Sequence, residues 1–179
     1  MKNFLFALVA VFLVSFLFSC KSVPIIEETP IGIKLEKNKV FLISKVEDGK
    51  YKDSVFTGSG KKVADYFYSY IRPNASKVII GNSDDDLAEA QKQKADYIIR
   101  AVITNWEPRN TIASGRNTKV TIYTKVINVS SGKEIVIRNL TEKQAKFSFK
   151  SLSTSVGMTN QSAEELAQQM IRELCGEFF

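Results

Sequence analysis

The chain of 179 residues contains no histidine. Histidine is the commonest general base and the commonest metal ligand of proteins, so its absence excludes every Ser-His and Cys-His catalytic pair. A phosphate-binding loop is also absent. Gly58-Ser59-Gly60-Lys61 is followed by Lys62 where Ser or Thr is required, and Val55 stands where the loop needs its first glycine. We therefore predict no catalytic residues, no metal site and no cofactor.

Cysteine is scarce, with only Cys20 and Cys175 in the whole chain. Cys20 closes the amino-terminal apolar segment and is predicted below to carry lipid. Cys175 is therefore left without a partner for an intrachain disulfide. We predict that Cys175 packs as a small apolar side chain. An intermolecular disulfide and a reactive thiol are the alternatives.

The only long apolar run, residues 4–18, covers 15 positions and follows the positive charge of Lys2. It is shorter than the 18 or more residues of a membrane-spanning helix, and it has the charged start and apolar centre of an export signal. Leu17-Phe18-Ser19-Cys20 resembles the bacterial lipobox, although Phe18 replaces the usual small residue. We predict that residues 1–19 are a lipoprotein signal peptide cleaved between Ser19 and Cys20, with lipid on Cys20. An uncleaved anchor is the alternative.

Basic residues outnumber acidic residues only modestly, by 25 to 19. The net charge of +6 becomes +5 when residues 1–19, which carry one lysine and no acid, are removed. The basic residues are spread along the chain, and Lys61-Lys62 has the pattern of a solvated helix surface. We therefore predict no nucleic-acid partner, and weakly favour contact with acidic headgroups or wall polymers.

The remaining chain has the length of one domain. Pro24, Pro30 and Gly32 interrupt any regular pattern in residues 20–38, which we interpret as the lipidated cysteine and a tether. Residues 39–179 are predicted to form one α/β domain with the element order β-α-β-α-β-β-β-α. This order predicts a single mixed sheet of about five strands, part parallel and part antiparallel, flanked by about three helices. The predicted strands are 40–46, 77–80, 95–106, 119–129 and 135–140, with a possible extension at 145–149; the predicted helices are 59–71, one capped by Ser83 and one capped by Ser162.

Two polar clusters are candidate sites. Asp84-Asp85-Asp86 stands at a predicted helix start, where capping and the helix dipole explain it better than a cation site. Trp106-Glu107-Pro108-Arg109 ends the longest predicted strand, where a Glu and an Arg beside an indole have the chemistry to hold a polar ligand. The alternative for this second cluster is an exposed ion pair over a half-buried tryptophan.

Several short motifs resemble a family of small Gram-negative lipoproteins of unknown function. The matching residues are Gly58-Ser59-Gly60, Ala95-Asp96-Tyr97, Trp106-Glu107, Arg109, Ser114-Gly115 and Gly132-Lys133. The resemblance covers roughly residues 38–150. It marks Trp106, Glu107, Arg109, Ser114 and Gly115 as a possible ligand or partner segment. The chain departs from the family at three positions. The family usually has His at Asn105, Asp at Pro108 and a second Trp near Ala113. A ligand site there would therefore be altered in this chain.

The strand order is also similar to the amino-terminal domain of the Tol–Pal propeller protein. It is similar too to lipoprotein activators of peptidoglycan synthases and to curli-type secretion lipoproteins. These likenesses imply adaptors or assembly components. Our leading hypothesis is a non-enzymatic lipoprotein of the outer membrane, facing the periplasm, that binds an envelope protein. The alternatives are a subunit of an oligomeric export or pore complex, and a small-ligand binder at Trp106–Arg109.

Overall fold

The computed structural model describes residues 33–108, 118–143 and 162–179. The predicted signal peptide, Cys20, the possible strand at 145–149, and Arg109, Ser114 and Gly115 lie outside these ranges.

A five-stranded mixed sheet forms the centre of the domain, with the strand order β4-β1-β5-β6-β7. Strand β1 is parallel to both β4 and β5, whereas β5, β6 and β7 are antiparallel neighbours. The predicted division into a parallel half and an antiparallel half is therefore confirmed. The strands are β1 (Val40–Ile43), β4 (Lys77–Ile80), β5 (Tyr97–Glu107), β6 (Lys119–Asn128) and β7 (Glu134–Lys143), with a small separate ribbon of β2 (Lys50–Tyr51) and β3 (Ser54–Val55).

Three helices flank the sheet: α1 (Ser59–Ile71), α2 (Asp86–Lys92) and α3 (Ala163–Phe178). A 3₁₀ turn, Arg72–Asn74, follows α1 directly. These elements confirm the predicted α/β class and all three predicted helices. The β2–β3 ribbon, in contrast, lies between the predicted strand 40–46 and the predicted helix 59–71, where no strand was predicted.

The main core lies on one face of the sheet, which we call the packed face. Both long helices bury their apolar sides there, because their apolar residues recur at three- and four-residue spacing. On α3 the residues with four-residue spacing are buried: Leu166, Met170, Leu174 and Phe178. Phe67 of α1 and Phe41 of β1 are fully buried in the same cluster.

Residues just before β1 also belong to this core. Leu35 is buried, and its backbone N–H donates to the carbonyl oxygen of Phe178 at 2.7 Å. Ile33 packs against the same cluster. The chain therefore joins the domain beside the last turn of α3, a few residues before the predicted boundary at residue 39.

A β-bulge in β5 changes the direction of its last residues. Ile103 pairs with Ile122 and Asn105 with Thr121, so Thr104 is the extra residue. An extra residue reverses the alternation of side chains that follow it. Trp106 is consequently buried in the main core beside Ile103. Regular alternation along β5 would instead have placed Trp106 on the face of Ile98 and Val102.

The helix starts confirm one predicted cap and correct another. Ser162 and Glu165 form the predicted capping box of α3. Ser83, however, does not cap α2, because the carboxylate of Asp85 accepts from the backbone N–H of Ala88 instead. At the start of α1 the carboxylate of Asp48 accepts from the backbone N–H groups of Gly58 and Gly60.

Cys175 lies in the main core on α3, as predicted for a small apolar side chain. Burial raises the pKa of its thiol to about 12, because the thiolate would lose its hydration there. The thiol therefore stays protonated and unreactive in the folded domain. Within the three described ranges, no helix has the length and apolarity needed to cross a membrane.

Candidate functional site

The Trp106–Glu107 segment packs against the loop that follows β1. A side chain at Gly49 would place its Cβ 2.7 Å from Trp106 Cβ and 2.8 Å from Ile103 Cγ2, so only glycine allows this approach. The indole is 3% exposed, and Glu107 is half-buried beside it. Trp106 thus serves as a core side chain in the structure. Its proposed companions Arg109, Ser114 and Gly115 lie outside the described residues.

The Gly58-Ser59-Gly60 motif forms the turn into α1, in agreement with the sequence prediction. Gly58 adopts a left-handed backbone conformation with φ +86°. Both Gly58 N–H (3.1 Å) and Gly60 N–H (2.9 Å) donate to the carboxylate of Asp48. Ser59 Oγ accepts from the backbone N–H of Gly49 at 2.8 Å. The motif therefore fastens the loop after β1 to the start of α1.

A cleft of about 550 Å³ lies beside this turn, at the carboxyl ends of β1 and β4. The chain leaves β1 towards α1 on the packed face and leaves β4 towards α2 on the other face. In open α/β sheets such a position is the usual place for a ligand. Here, however, Asp48 already accepts the N–H groups that an anion would need. Lys45 pairs with Asp84 and Glu47, and Lys61 pairs with Asp65.

The acidic run at the start of α2 has one buried member, Asp86. Its carboxylate accepts from Arg100 Nε and a second guanidinium nitrogen, each at 2.6 Å, and from Ser44 Oγ at 2.6 Å. The two-point hydrogen bond from Arg100 is the largest cause of a lowered Asp86 pKa, and the bond from Ser44 adds to it. Asp86 therefore attaches α2 to β1 and β5. No group of three His, Cys, Asp or Glu residues suited to a metal ion occurs within 33–108, 118–143 and 162–179.

The second face of the sheet is covered unequally. Near its start, Leu42, Ile98 and Ala90 of α2 form a small buried cluster. Beyond Arg100, no described helix lies over β5, β6 and β7. Val102 is 52% exposed there and stands opposite Tyr123, while Arg100 stands opposite Lys125. We call this surface the open face; it consists of Arg100, Val102, Tyr123, Lys125, Ile137 and Asn139.

The open face ends at a long edge strand. Strand β7 has ten residues and pairs only with β6 among the described strands. Ile137 is half-buried on this strand, and Asn139 is exposed beside it. A long edge strand presents backbone N–H and C=O groups that are able to pair with another chain. The sequence did not predict this surface, because the alternation of apolar and polar residues in 119–140 does not reveal which face of the sheet a helix covers.

No known family model matches this chain, and no curated protein matches it. Solved structures do. The PelC dodecamer from Paraburkholderia phytofirmans matches with a TM-score of 0.63 at 14% identity, over 85% of this chain and 95% of PelC. A variant of that dodecamer in another crystal form gives a TM-score of 0.64 at 15% identity, with the same coverage.

Solved bacterial lipoproteins are also among the matches. Lipoprotein GNA1162 from Neisseria meningitidis has a TM-score of 0.44 at 12% identity, over 64% of this chain and 90% of that protein. At 14% and 15% identity, the likeness to the PelC structures establishes a shared fold and nothing beyond it.

A Gly60→Ala substitution should destabilise the domain far more than Gly58→Ala. A Cβ at Gly60 would lie 2.2 Å from the carbonyl oxygen of Val46, whereas nothing lies within 4 Å of a Cβ at Gly58. We expect a loss of about 3 kcal/mol for Gly60→Ala, and of about 1 kcal/mol for Gly58→Ala through left-handed backbone strain. Urea unfolding of the two variants measures the difference. Equal losses would contradict the close approach of α1 to the loop after β1.

An Asp86→Asn substitution should lower the free energy of unfolding by about 2 kcal/mol at neutral pH, because it removes charged hydrogen bonds to Arg100 and Ser44. The folded-state pKa of Asp86 lies below its ordinary value of 3.8. The stabilisation is therefore fully present above pH 3.8 and is lost as the pH falls through the folded-state pKa. Urea unfolding across the acidic range should show wild type and variant converging at low pH.

Asp84→Asn is the matched control, since the Asp84 side chain is 89% exposed and its pair with Lys45 is solvated. We expect it to change the stability by less than about 0.5 kcal/mol. If Asp84→Asn and Asp86→Asn were equally destabilising, the attachment of α2 through Asp86 would be wrong.

Proposed function

We propose that this chain is a membrane-anchored lipoprotein of the bacterial envelope whose domain works by binding protein rather than by catalysis. Residues 1–19 are removed as a signal peptide, and lipid on Cys20 holds the domain to a membrane. Lys21 follows the cysteine in place of the Asp that retains many lipoproteins in the inner membrane. The outer membrane, facing the periplasm, is accordingly the proposed location.

The open face is the observation that carries this proposal. An apolar side chain exposed in the middle of a sheet, as Val102 is, loses unfavourable contact with water when another surface covers it. The edge of β7 adds backbone groups that a partner strand is able to pair with. Together they form a surface suited to protein, whereas the cleft beside α1 has its charges already paired. Trp106 is buried, so the small-ligand alternative at Trp106–Arg109 has less support.

A second candidate is a subunit of an oligomeric envelope complex, such as an export or pore assembly. The likeness to the PelC dodecamer supports it, because that likeness covers 85% of this chain. In this case the partner at the open face is another copy of the same chain. A closed ring needs one surface to meet a different surface of the next copy.

Lipid on Cys20 is tested by metabolic labelling with palmitate in a bacterial host. The full chain should take up label and remain in the membrane fraction. Cys20→Ala should lose the label and accumulate uncleaved, because the modified thiol is gone. Cys175→Ala is the matched control and should keep the label, since Cys175 is buried in the core. Label that persists in Cys20→Ala would overturn the anchor.

Val102→Glu should weaken association through the open face by about tenfold or more, because an unpaired carboxylate taken out of water is costly. Val55→Glu is the matched control: Val55 is 54% exposed and Val102 is 52% exposed, but Val55 lies on the β2–β3 ribbon. Neither substitution should alter the thermal midpoint, since both side chains are exposed. Sedimentation of the detergent-solubilised protein measures self-association, and a pull-down from solubilised envelope measures partners.

The two readouts separate the candidates. A strictly monomeric wild type removes the oligomeric subunit. The absence of any stoichiometric envelope partner, other than the chain itself, counts against the protein-binding adaptor. Equal weakening by Val102→Glu and Val55→Glu would show that the open face is not the binding surface.

A further inference from the structure

One end of the sheet gathers the starts of β1, β4 and β5 together with the end of β6; we call it the basal end. Three backbone hydrogen bonds tie it together: Ser76 N–H to Lys39 O, Asp96 N–H to Val40 O and Val129 N–H to Asp96 O. The chain enters the domain at this same end. Leu35 lies against Phe178, and Phe41 at the start of β1 packs against Phe179. The first described residues, which follow the predicted tether, therefore lie at the basal end.

Basic side chains are concentrated at the basal end. The segments 34–39, 72–77, 92–96 and 133–134 contain eight Lys or Arg residues. They contain only three acidic residues, and Glu177 on the adjoining last turn of α3 is a fourth. The other described residues have 11 basic and 13 acidic side chains, so they carry no positive excess. The positive charge of the domain is thus localised where the chain enters.

Most of these charges are available for an external partner. Lys39 is held between Glu36 at 3.3 Å and Asp96 at 3.7 Å. Seven others are exposed and make no ion pair within the described ranges: Lys34, Lys37, Arg72, Lys77, Lys92, Lys94 and Lys133. Elsewhere among the described residues, Lys45, Lys61 and Lys62 each have a carboxylate partner, whereas Lys50, Lys52 and Arg172 are exposed without an ion pair. The exposed basic residues at the basal end have no such internal neutralisation in the described structure.

We propose that the basal end binds the anionic phospholipid headgroups of the membrane that holds Cys20, so that the domain stands on its membrane with the strands upright. This inference rests on the proposed lipid anchor. Residues 20–32 reach at most about 45 Å when fully extended, which keeps the basal end within reach of the bilayer surface. Negative headgroups attract basic residues over roughly one Debye length, about 10 Å at moderate salt. A lipid chain combined with a basic patch holds a protein at a membrane more firmly than either signal alone.

The charge contact is tested on mature chain 20–179 carrying Cys20→Ser, which has no lipid. Flotation with vesicles of phosphatidylcholine, with and without phosphatidylglycerol, measures binding at low and high salt. We expect binding to the vesicles with phosphatidylglycerol only, and loss of binding at high salt. Binding that ignores phosphatidylglycerol, or no binding to either vesicle, would overturn the proposal.

Two matched triple variants distinguish binding through the basal end from a general attraction caused by net charge. The triple Lys37→Gln, Lys77→Gln and Lys94→Gln should bind about 100-fold more weakly, at about fivefold for each basic residue. The control triple Lys50→Gln, Lys52→Gln and Lys61→Gln removes the same charge near the opposite end and should bind nearly as well as wild type. Lys52 and Lys94 both have a left-handed backbone (φ 52° and 54°), so strain is matched as well. Equal losses in the two triples would overturn the basal end as the binding surface.

Orientation gives a second readout that needs no variant. Trp106 is the only tryptophan, and it lies at the far end of β5 from Tyr97, about 30 Å away at the rise of a β-strand. With the lipidated full chain in vesicles that carry dansyl headgroups, energy transfer from Trp106 should be weak. Strong transfer would place Trp106 at the membrane and contradict the upright domain.

Failure of headgroup binding and failure of the proposed function are distinguishable, although the orientation readout requires the lipid anchor. The flotation assay uses a chain without lipid, so its failure would leave the palmitate labelling and the association assays unchanged. Conversely, an unlabelled Cys20 would remove the anchor while leaving any headgroup binding measurable.

Discussion

Both long helices of this domain pack on the same face of one sheet, and the rest of the structure depends on that packing. Helices α1 and α3 each carry a single apolar side, so each is able to cover only one surface. The series Leu166, Met170, Leu174 and Phe178 is buried in the main core, and α3 contacts β6, β7 and α1 there. Among the described helices, only the seven-residue α2 lies on the second face. One helix of that length covers β1 and the start of β5, and the open face is the consequence.

Much of this architecture could be predicted from the sequence because it follows from local periodicity. The helix over 59–71 and the capping box at Ser162 are examples, since the residues that determine each lie close together in the chain. The direction of Trp106 could not be predicted, because it depends on one extra residue in β5 at Thr104. A bulge becomes visible only through the register with β6. The capping role of Asp48 was equally hidden, since its partners lie ten and twelve residues away.

The candidate surfaces were predicted less well than the fold. Trp106 drew attention as an aromatic side chain beside a Glu and an Arg, yet the close approach of Gly49 gives it a packing role. The open face produces no sequence motif, because the side chains of a strand alternate between the two faces whether or not a helix covers the second face. Asp86 shows a related difficulty. Its carboxylate differs from those of Asp84 and Asp85 only through Arg100 and Ser44, which are neighbours in space and not in sequence.

The two proposed surfaces are geometrically compatible with each other. If the basal end rests on headgroups, β5, β6 and β7 stand roughly along the membrane normal, because β1, β4 and β5 all start at that end. The open face and the edge of β7 then point sideways, parallel to the bilayer. A partner reached in that direction is held to the same membrane, and restriction to a surface raises its effective concentration without any new contact. An interface with as few exposed apolar side chains as this one depends strongly on that gain. The lipid anchor and the basic basal end would in this way make a weak lateral contact sufficient for assembly.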